Sequence, residues 1–350
     1  MAERAFPGAA VAITHNCELV ALEAFGRFTY DSQSPQIVPT TIFDLASLSK
    51  VVATTSMAIL LCERGLLDLE GPLYLVVPEF LAGDMAREDA RRREVTFRML
   101  LAHSSGLPAY EKLFLRARSR QELLAAAFRT SLTADPATRA EYSDIGFIIL
   151  GVALERLAGE SLAGFCQREV FGLLGMTQTV FNPAATARSL IPPTADDQSF
   201  RGRIIQGEVQ DENSSVLGGV AGHAGVFATA GDVAILANVM LAGGRPLAEA
   251  ETLSLFTRRQ MTPPGTCRAL GWDTPSVPSQ SGKYFSQKSF GHLGYTGTSL
   301  WIDPERQLSV TLLTNRTWPD CRRTAITEVR PKFHDAVVEA LYPELLETNR

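Results

Sequence analysis

Residues 41–55 read TIFDLASLSKVVATT, and within them Ser47 and Lys50 stand three positions apart. On a helix this spacing places both side chains on the same face. A serine hydroxyl becomes an effective nucleophile when a neighbouring group removes its proton, and a lysine shielded from water can do so. The start of a helix also stabilises developing negative charge. The alternative for this stretch alone is a serine that caps a helix beside a surface lysine.

Apolar side chains continue this stretch at helical spacing from Leu45 to Leu61, and Gly65 is a natural end for a helix. The middle of the stretch is rich in alanine and threonine, which indicates burial on most sides. The sequence therefore predicts a long core helix over residues 44–65, with the Ser47 and Lys50 pair at its start.

Strand patterns lie at the two ends of the chain. Residues 9–14 and 19–25 alternate and predict one antiparallel hairpin, and residues 298–303 and 307–314 predict a second. Helical patterns fill the middle, at 96–103, 119–129, 144–158, 161–174, 230–242, 248–260 and 324–341. Residues 183–225 are rich in Pro, Gly, Ser and Asp, which indicates a long surface excursion.

This order of elements predicts an α+β fold in which an antiparallel sheet is flanked by helices. Residues 1–60 and 226–350 are predicted to build the sheet domain. Residues 61–225 are predicted to build a mainly helical inserted domain that includes the long loop. The active site is expected at the interface of the two domains.

Composition argues against several classes of function. The 350 residues carry 33 Lys and Arg against 38 Asp and Glu, a net charge of -5, whereas nucleic-acid binders usually show a basic excess. The apolar stretches fall short of the roughly 20 residues that span a membrane. The five cysteines include no C-x-x-C pair, which indicates free thiols rather than a zinc site. We therefore expect no nucleic-acid partner, no transmembrane segment and no zinc site.

The first residues, MAERAFPGAAVAITH, lack the basic start and the unbroken apolar segment of a secretory signal. This pattern predicts a cytoplasmic chain, or a periplasmic or extracellular one if a leader has been removed. The sequence makes no prediction of the oligomeric state.

Two further segments carry groups that suit acyl transfer. Tyr142, Ser143 and Asp144 open a predicted helix, and a tyrosine near a cationic lysine can have a lowered pKa and shuttle a proton. Residues 291–297, GHLGYTG, precede a predicted strand, where glycines let the backbone approach a ligand and donate an N–H to an oxyanion. The alternatives are a helix cap for the first segment and a glycine-rich turn for the second.

Taken together and in this order, the segments resemble the serine β-lactamase-related and penicillin-binding protein family. The likeness is to the branch that holds class C β-lactamases, D-alanyl-D-alanine carboxypeptidases and family VIII-type esterases. It extends over nearly the whole chain, through TIFDLASLSKVVATT, LLAHSSGLP, EYSDIGFIILG, LGGVAGHAGVFATAGD and GHLGYTGTSLWIDP. The resemblance implies a β-lactamase/transpeptidase-like fold and acyl transfer through an acyl-enzyme, without metal or cofactor, on a small-molecule or short-peptide substrate.

The resemblance also implies roles for single residues. Ser47 would be the acylated nucleophile, Lys50 its activating partner, and Tyr142 the relay that carries a proton to and from the leaving group. The backbone N–H groups of Ser47 and Tyr295 would form the oxyanion hole. Gly294 would lie in the substrate-binding strand.

Three positions need separate interpretation. Asp144 stands where the family usually has Asn, and its charge is expected to hold Lys50 protonated, which makes Tyr142 the more attractive base. His292 replaces the usual Lys and would bind an anionic substrate group when it is protonated. His223, in Ala-Gly-His-Ala-Gly, either contacts substrate or holds the glycine turn through the loop backbone.

The predicted function is a serine hydrolase of small esters, amides or D-amino-acid peptides, with at most weak β-lactamase activity. The alternative is a non-catalytic module on the same fold that binds cell-wall peptides or a partner. An α/β-hydrolase is disfavoured because the chain contains no G-x-S-x-G. His103 is expected to be structural, and Arg316 to lie near a substrate carboxylate or on a solvated surface.

Overall fold

The computed structural model describes residues 4–81 and 89–347. The strands, in chain order, are β1 (Gly8–His15), β2 (Glu18–Gly26), β3 (Phe43–Asp44), β4 (Val180–Phe181), β5 (Pro193–Asp197), β6 (Arg203–Gln206), β7 (Val226–Ala228), β8 (Phe290–Leu293), β9 (Ser299–Asp303) and β10 (Leu308–Thr314). The α-helices are α1 (Ser56–Glu63), α2 (Phe97–Leu101), α3 (Arg120–Phe128), α4 (Asp144–Ala158), α5 (Leu162–Cys166), α6 (Glu212–Val216), α7 (Ala230–Leu241), α8 (Ala250–Thr257), α9 (Ile326–Leu341) and α10 (Glu344–Glu347).

The main sheet has five antiparallel strands in the order β2-β1-β10-β9-β8. The two ends of the chain meet in it, because β1 pairs with β10 from Ala9 opposite Thr314 to His15 opposite Leu308. Both predicted hairpins are confirmed, as β1 with β2 and β9 with β10. Helix α7 packs against β1, β9 and β10. The predicted α+β class, with a sheet flanked by helices, is therefore confirmed.

Strand β8, which carries part of the candidate site, is not predicted by any local pattern, although the resemblance implied a substrate-binding strand here. It ends at Leu293, so Gly294 lies just after the strand rather than in it. The strand has only four residues and lies at one edge of the sheet, paired with β9. Gly291 contributes no side chain to a pattern, so a glycine-containing strand of this length shows no alternation. Its position depends on pairing with β9 rather than on a local signal.

The long core helix after β3 is confirmed, but its geometry changes along its length. Ala46–Leu48 forms a 3₁₀ turn, Lys50–Thr55 is π-helical, and α1 completes the helix. Gly65 follows it with a left-handed φ of 67°. Among the described residues, Ala46–Glu63 is the one helix long and apolar enough to cross a membrane, and 83% of it is buried inside the protein.

The segment 183–225 is more regular than the predicted surface excursion. It contains the β5–β6 hairpin and helix α6. It also enters the interior, since Asn213, Ser214 and His223 are buried. The composition rich in Pro, Gly, Ser and Asp marks its many turns, but burial depends on what the segment packs against.

A continuous apolar core joins regions that the sequence assigned to different domains. Leu48 and Val233, from the predicted sheet domain, share it with Phe147 from the predicted helical domain. The boundaries at 60/61 and 225/226 therefore remain a prediction, and residues 82–88 of the inserted part lie outside the described residues.

Gly222 and Gly151, which face each other, let the 219–225 segment lie directly on helix α4. A Cβ added to Gly222 would lie 2.1 Å from the carbonyl oxygen of Phe147 and 3.0 Å from the backbone of Gly151. The Gly222 carbonyl accepts a hydrogen bond from Thr54 Oγ1 at 2.7 Å. This close approach fixes the segment that carries His223 against the core helix.

We expect Gly222→Ala to lower the free energy of unfolding by about 1–3 kcal/mol, because the added methyl group overpacks a backbone contact. The matched control is Gly231→Ala in α7, where the nearest atom to a new Cβ is Thr229 Oγ1 at 3.9 Å. That control should be neutral or stabilising by up to about 1 kcal/mol. Denaturant unfolding of both variants measures the difference, and equal stabilities would show that the close approach is not required.

Candidate active site

Ser47 lies in a turn that is held by a buried carboxylate. Ala46, just before it, adopts a left-handed φ of 47°, which is uncommon for a residue other than glycine. Asp44 accepts the Ala46 N–H with Oδ1 at 2.8 Å and the Gln210 N–H with Oδ2 at 2.7 Å. Burial raises the pKa of Asp44 to about 6. Asp44 is not recognisable from the sequence, because no motif spacing marks it.

The structure brings three predicted catalytic residues together. Ser47 Oγ lies 2.9 Å from Lys50 Nζ and 2.8 Å from the Tyr142 hydroxyl, and both are hydrogen bonds. Lys50 reaches Ser47 from the next turn of the same helix, whereas Tyr142 comes from just before α4. The serine oxygen therefore has two proton-transfer partners at once.

Lys50 is fully buried and has a carboxylate beside it. Besides Ser47, its Nζ donates to Asp144 Oδ1 at 2.7 Å and to the His223 carbonyl at 3.1 Å. These three bonds match the three donors of an ammonium group. Burial lowers the pKa of Lys50, and Asp144 opposes that shift without cancelling it. The neutral amine is therefore more accessible than in an exposed lysine.

The expectation of a lowered pKa for Tyr142 is wrong. Burial raises the pKa of this phenol well above its ordinary range, and the nearby charge of Asp144 adds to the rise. A phenolate here would be desolvated beside a carboxylate, and both effects oppose ionisation. These pKa directions favour Lys50 over Tyr142 as the proton acceptor, which is the reverse of the expected order.

The segment Tyr142-Ser143-Asp144 is both a helix cap and part of the site. Ser143 Oγ caps α4 by accepting the Gly146 N–H at 3.0 Å, while the Ser143 N–H donates to His103 Nδ1 at 3.0 Å. The His103 ring also packs on the Tyr142 ring with centroids 4.6 Å apart. The two interpretations of the segment are thus compatible. His103 holds it through the Ser143 amide rather than through the last carbonyls of its own helix.

His223 holds Lys50 through its backbone. It is buried, its Nε2 lies 2.8 Å from Asp211 Oδ1, and its carbonyl accepts from Lys50. Asp211 in turn accepts the N–H of Ser214 and begins α6. These contacts favour the loop-holding interpretation of His223, although the residue also lines the cleft.

The strand end at Gly294 lies against the nucleophile turn. Thr296 Oγ1 donates to the Asp44 carbonyl at 2.8 Å, and Thr298 Oγ1 donates to the Leu45 carbonyl at 3.0 Å. A Cβ on Gly294 would lie 2.6 Å from that same Leu45 oxygen, so this approach requires glycine. Ser47 and Tyr295 consequently line one cleft, and the oxyanion hole from their N–H groups stays a prediction.

His292 is a neutral ring in this environment. It is 2% exposed, and its Nδ1 lies 2.8 Å from the Leu293 carbonyl, so Nδ1 carries the proton. Burial lowers its pKa well below the ordinary range, and the charges of Lys50 and Arg268 lower it further. The protonated, anion-binding His292 expected from the sequence is therefore disfavoured.

Ser47 and Tyr142 line a cleft of about 780 Å³. Residues that the sequence analysis missed also line it, namely Tyr110, Gln210, Asp211, Glu212, Arg268, Asp273 and Arg330. Arg268 forms an ion pair with Asp273 and lies 5.4 Å from the centre of the Tyr142 ring. No local spacing identifies these residues, because they come from segments far apart in the chain, from Tyr110 to Arg330.

Arg316 is neither on a solvated surface nor free in the cleft. It is buried, and its guanidinium donates to the backbone carbonyls of Tyr295, Cys321 and Arg323 at 2.8, 3.0 and 3.0 Å. It therefore fixes the chain around Tyr295. Within residues 4–81 and 89–347, no group of three or more His, Cys, Asp or Glu side chains is placed to hold a metal ion.

The ion pair between Lys50 and Asp144 leads to a prediction for the pH dependence. Asp144 raises the Lys50 pKa, so Asp144→Asn should lower it further. If neutral Lys50 removes the Ser47 proton, the ascending limb of kcat/KM should then move to lower pH. The measurement is the pH profile of hydrolysis of a neutral ester by wild type and variant.

Removal of one partner from a buried ion pair also costs stability, so melting temperatures must accompany the profiles. Glu79→Gln is a suitable control, since Glu79 pairs with Arg156 at an exposed site. The control profile should superimpose on that of wild type. A superimposable Asp144→Asn profile would remove Lys50 as the group whose ionisation controls the limb.

Comparison with known proteins agrees with this geometry. The model of the Beta-lactamase family matches residues 1–330. The chain is 31% identical to the "N-acetylmuramyl-L-alanine amidase" of Bacillus subtilis (strain 168), with 89% of this chain and 77% of that protein covered. It is 29% identical to the "Putative D-alanyl-D-alanine carboxypeptidase" of Escherichia coli (strain K12), with 89% and 79% covered.

A solved structure supports the fold. The class C β-lactamase from Rhodobacter sphaeroides superposes with a TM-score of 0.71 at 20% identity, over 97% of this chain and 96% of that one. The β-lactamase/transpeptidase-like fold implied by the sequence is thereby confirmed. With a family match over nearly its full length and this sheet, the chain belongs to the Beta-lactamase family.

Proposed function

We propose that the protein is a serine hydrolase that forms an acyl-enzyme on Ser47 and acts on small esters, amides or D-amino-acid peptides. One observation carries this proposal, namely that Ser47 Oγ is hydrogen-bonded to both Lys50 Nζ and the Tyr142 hydroxyl. A nucleophile with an adjacent base and an adjacent acid is the minimum that acyl transfer needs. A module that only binds peptides has no need of this arrangement.

In acylation, Ser47 Oγ bonds to the substrate carbonyl carbon while neutral Lys50 takes the hydroxyl proton. The carbonyl electron pair moves to its oxygen, and the N–H groups of Ser47 and Tyr295 stabilise that oxyanion. When the intermediate collapses, the bond to the leaving group breaks. Tyr142 donates a proton to the leaving group and regains one from the Lys50 ammonium.

Deacylation repeats these steps with water. A water molecule attacks the acyl carbon and loses a proton to Lys50, the base of the first step. The bond between the acyl carbon and Ser47 Oγ then breaks, and Oγ regains its proton. The lowered pKa of Lys50 and the raised pKa of Tyr142 suit a base and an acid that exchange one proton. No other reactant than water is required.

The names of the relatives support amide bonds of the kind found in cell-wall peptides as substrates. One relative is named an amidase and another a putative D-alanyl-D-alanine carboxypeptidase. The chain departs from the family pattern at Asp144 and His292, which argues for esterase or peptidase activity over efficient β-lactam hydrolysis. A panel of a neutral ester, a D-alanyl dipeptide amide and a penicillin would rank these substrates.

Reaction with a fluorophosphonate, followed by intact mass, tests the proposal most directly. A single adduct on wild type, located at Ser47 by peptide mapping, is the expected result. Unmodified protein that still binds cell-wall peptides would favour the non-catalytic alternative.

A further inference from the structure

Asp44 connects the nucleophile turn to the segment that holds Lys50. Its Oδ1 accepts the Ala46 N–H at 2.8 Å and its Oδ2 accepts the Gln210 N–H at 2.7 Å. Gln210 is followed by Asp211, which contacts His223 Nε2, and the His223 carbonyl accepts from Lys50. The Asp44 carboxylate thus links the turn that carries Ser47 to the segment that contacts Lys50, in addition to the direct hydrogen bond between the two side chains.

The backbone of the same residue contacts the oxyanion side of the cleft. The Asp44 carbonyl accepts from Thr296 Oγ1 at 2.8 Å, one residue after Tyr295. Asp44 therefore touches three parts of the site, namely the Ser47 turn, the segment that leads to His223, and the strand end at Tyr295.

Both oxygens of Asp44 must be acceptors, because each faces a backbone N–H. Protonation of the carboxylate would make one of the two oxygens a hydroxyl, which is a weaker acceptor, and the amide of asparagine would place a donor against one of these N–H groups. That donor would break either the hydrogen bond that holds Ala46 at its left-handed φ of 47° or the hydrogen bond that holds Gln210. The alanine conformation is unfavourable alone and persists only where its surroundings impose it.

We propose that Asp44 is a positioning residue for acylation, whose ionised carboxylate acts through Ala46 and Gln210 to keep Ser47 aligned with Lys50. This inference rests on the proposed function, since it assumes that Ser47 is the nucleophile. Asp44 does not line the cleft and acts only through its neighbours.

The alignment should depend on pH. Burial raises the pKa of Asp44 to about 6, the two backbone N–H groups lower it, Asp211 raises it and Arg201 lowers it. The carboxylate is therefore ionised above that pH and increasingly protonated below it. Protonation should weaken one of the two hydrogen bonds and reduce the rate of acylation.

The test compares wild type with Asp44→Asn, using kcat for a neutral ester at saturating concentration from pH 5 to 8. At pH 8 we expect kcat of the variant to be roughly ten- to a hundredfold lower, with KM little changed, because the variant disturbs alignment rather than binding. The ratio of the wild-type kcat to the variant kcat should fall toward one below pH 6, where the wild-type Asp44 is protonated and, like the asparagine, carries no charge. Other titrations, including that of Lys50, affect both proteins and largely cancel in the ratio.

Asp232→Asn is a matched control. Asp232 is also buried, and its Oδ2 accepts the Gln178 N–H and the Thr179 hydroxyl, both at 2.8 Å, away from the cleft. This control should lose stability without a pH-dependent loss of kcat. A kcat ratio for Asp44→Asn that is constant across the pH range, or no larger than that for Asp232→Asn, would overturn the proposal.

The experiment also separates this proposal from the proposed function. If Ser47 is the nucleophile but Asp44 has no positioning role, hydrolysis depends on Ser47 while Asp44→Asn behaves like Asp232→Asn. If hydrolysis persists in Ser47→Ala, the proposed function fails first.

Discussion

Replacing Ser47 with alanine is expected to abolish labelling by a fluorophosphonate and to lower kcat for a p-nitrophenyl ester by on the order of 10⁴-fold or more. Among the described residues, Ser47 Oγ is the atom that accepts hydrogen bonds from both Lys50 Nζ, at 2.9 Å, and the Tyr142 hydroxyl, at 2.8 Å. Without it, neither the lysine nor the tyrosine has a nucleophile to activate. Single-turnover kinetics and intact mass measure the two effects.

The cleft offers a matched control in Ser199, a second serine in its lining. Its hydroxyl bonds to Asp197 at 3.2 Å, and the pair contains no lysine. Ser199→Ala should therefore keep the label and retain kcat within a few fold. Hydrolysis by Ser47→Ala at the wild-type rate would show that another group carries the reaction.

The second large effect is expected from Lys50→Ala and Tyr142→Phe. Each variant should reduce kcat/KM by several orders of magnitude, and the double variant should lose less than the sum of the separate losses in free energy. The reason is that both side chains serve a single proton path through Ser47 Oγ, and residues that act as a unit are not additive. Acylation rates of wild type, both single variants and the double variant complete the cycle.

Stability must be measured alongside these rates. Lys50→Ala leaves Asp144 without its partner at 2.7 Å, which is destabilising for a buried pair. Tyr142→Phe removes a hydroxyl alone and should unfold close to wild type. A double variant whose loss equals the sum of the single losses would argue that the two residues act independently.

Much of the fold followed from local patterns. The two hairpins show alternation, and the core helix shows helical spacing that ends at Gly65. Ser143 stands at the start of a predicted helix, where serine is a favoured cap, and its side chain accepts the N–H three residues on. Local patterns did not predict strand β8, because its four residues have no periodicity of their own.

The order of the motifs was also sufficient to name Ser47, Lys50 and Tyr142 together. Nothing in that order indicated the role of Asp44, which depends on a contact with Gln210 from 166 residues away. Arg316 similarly could be assigned to a surface or to a substrate until its three backbone partners were visible.

Within one element the sequence by itself determined which groups meet, as for Ser47 and Lys50, because helix spacing, strand alternation and capping act over a few residues. The meeting of Ser47 with Tyr142, 95 residues away, was implied only by the resemblance to the family. The tertiary structure alone decided the charges that these groups carry. Asp144 lies 94 residues from Lys50, and the His223 carbonyl lies 173 residues from it, yet both contact its ammonium. At Lys50, burial lowers the pKa by more than the Asp144 carboxylate raises it. At Tyr142, burial and the same carboxylate both raise the pKa, which is opposite to the expected order of base and acid. The physical reason is that a pKa depends on desolvation and on every nearby charge, and both are set by segments remote in the chain.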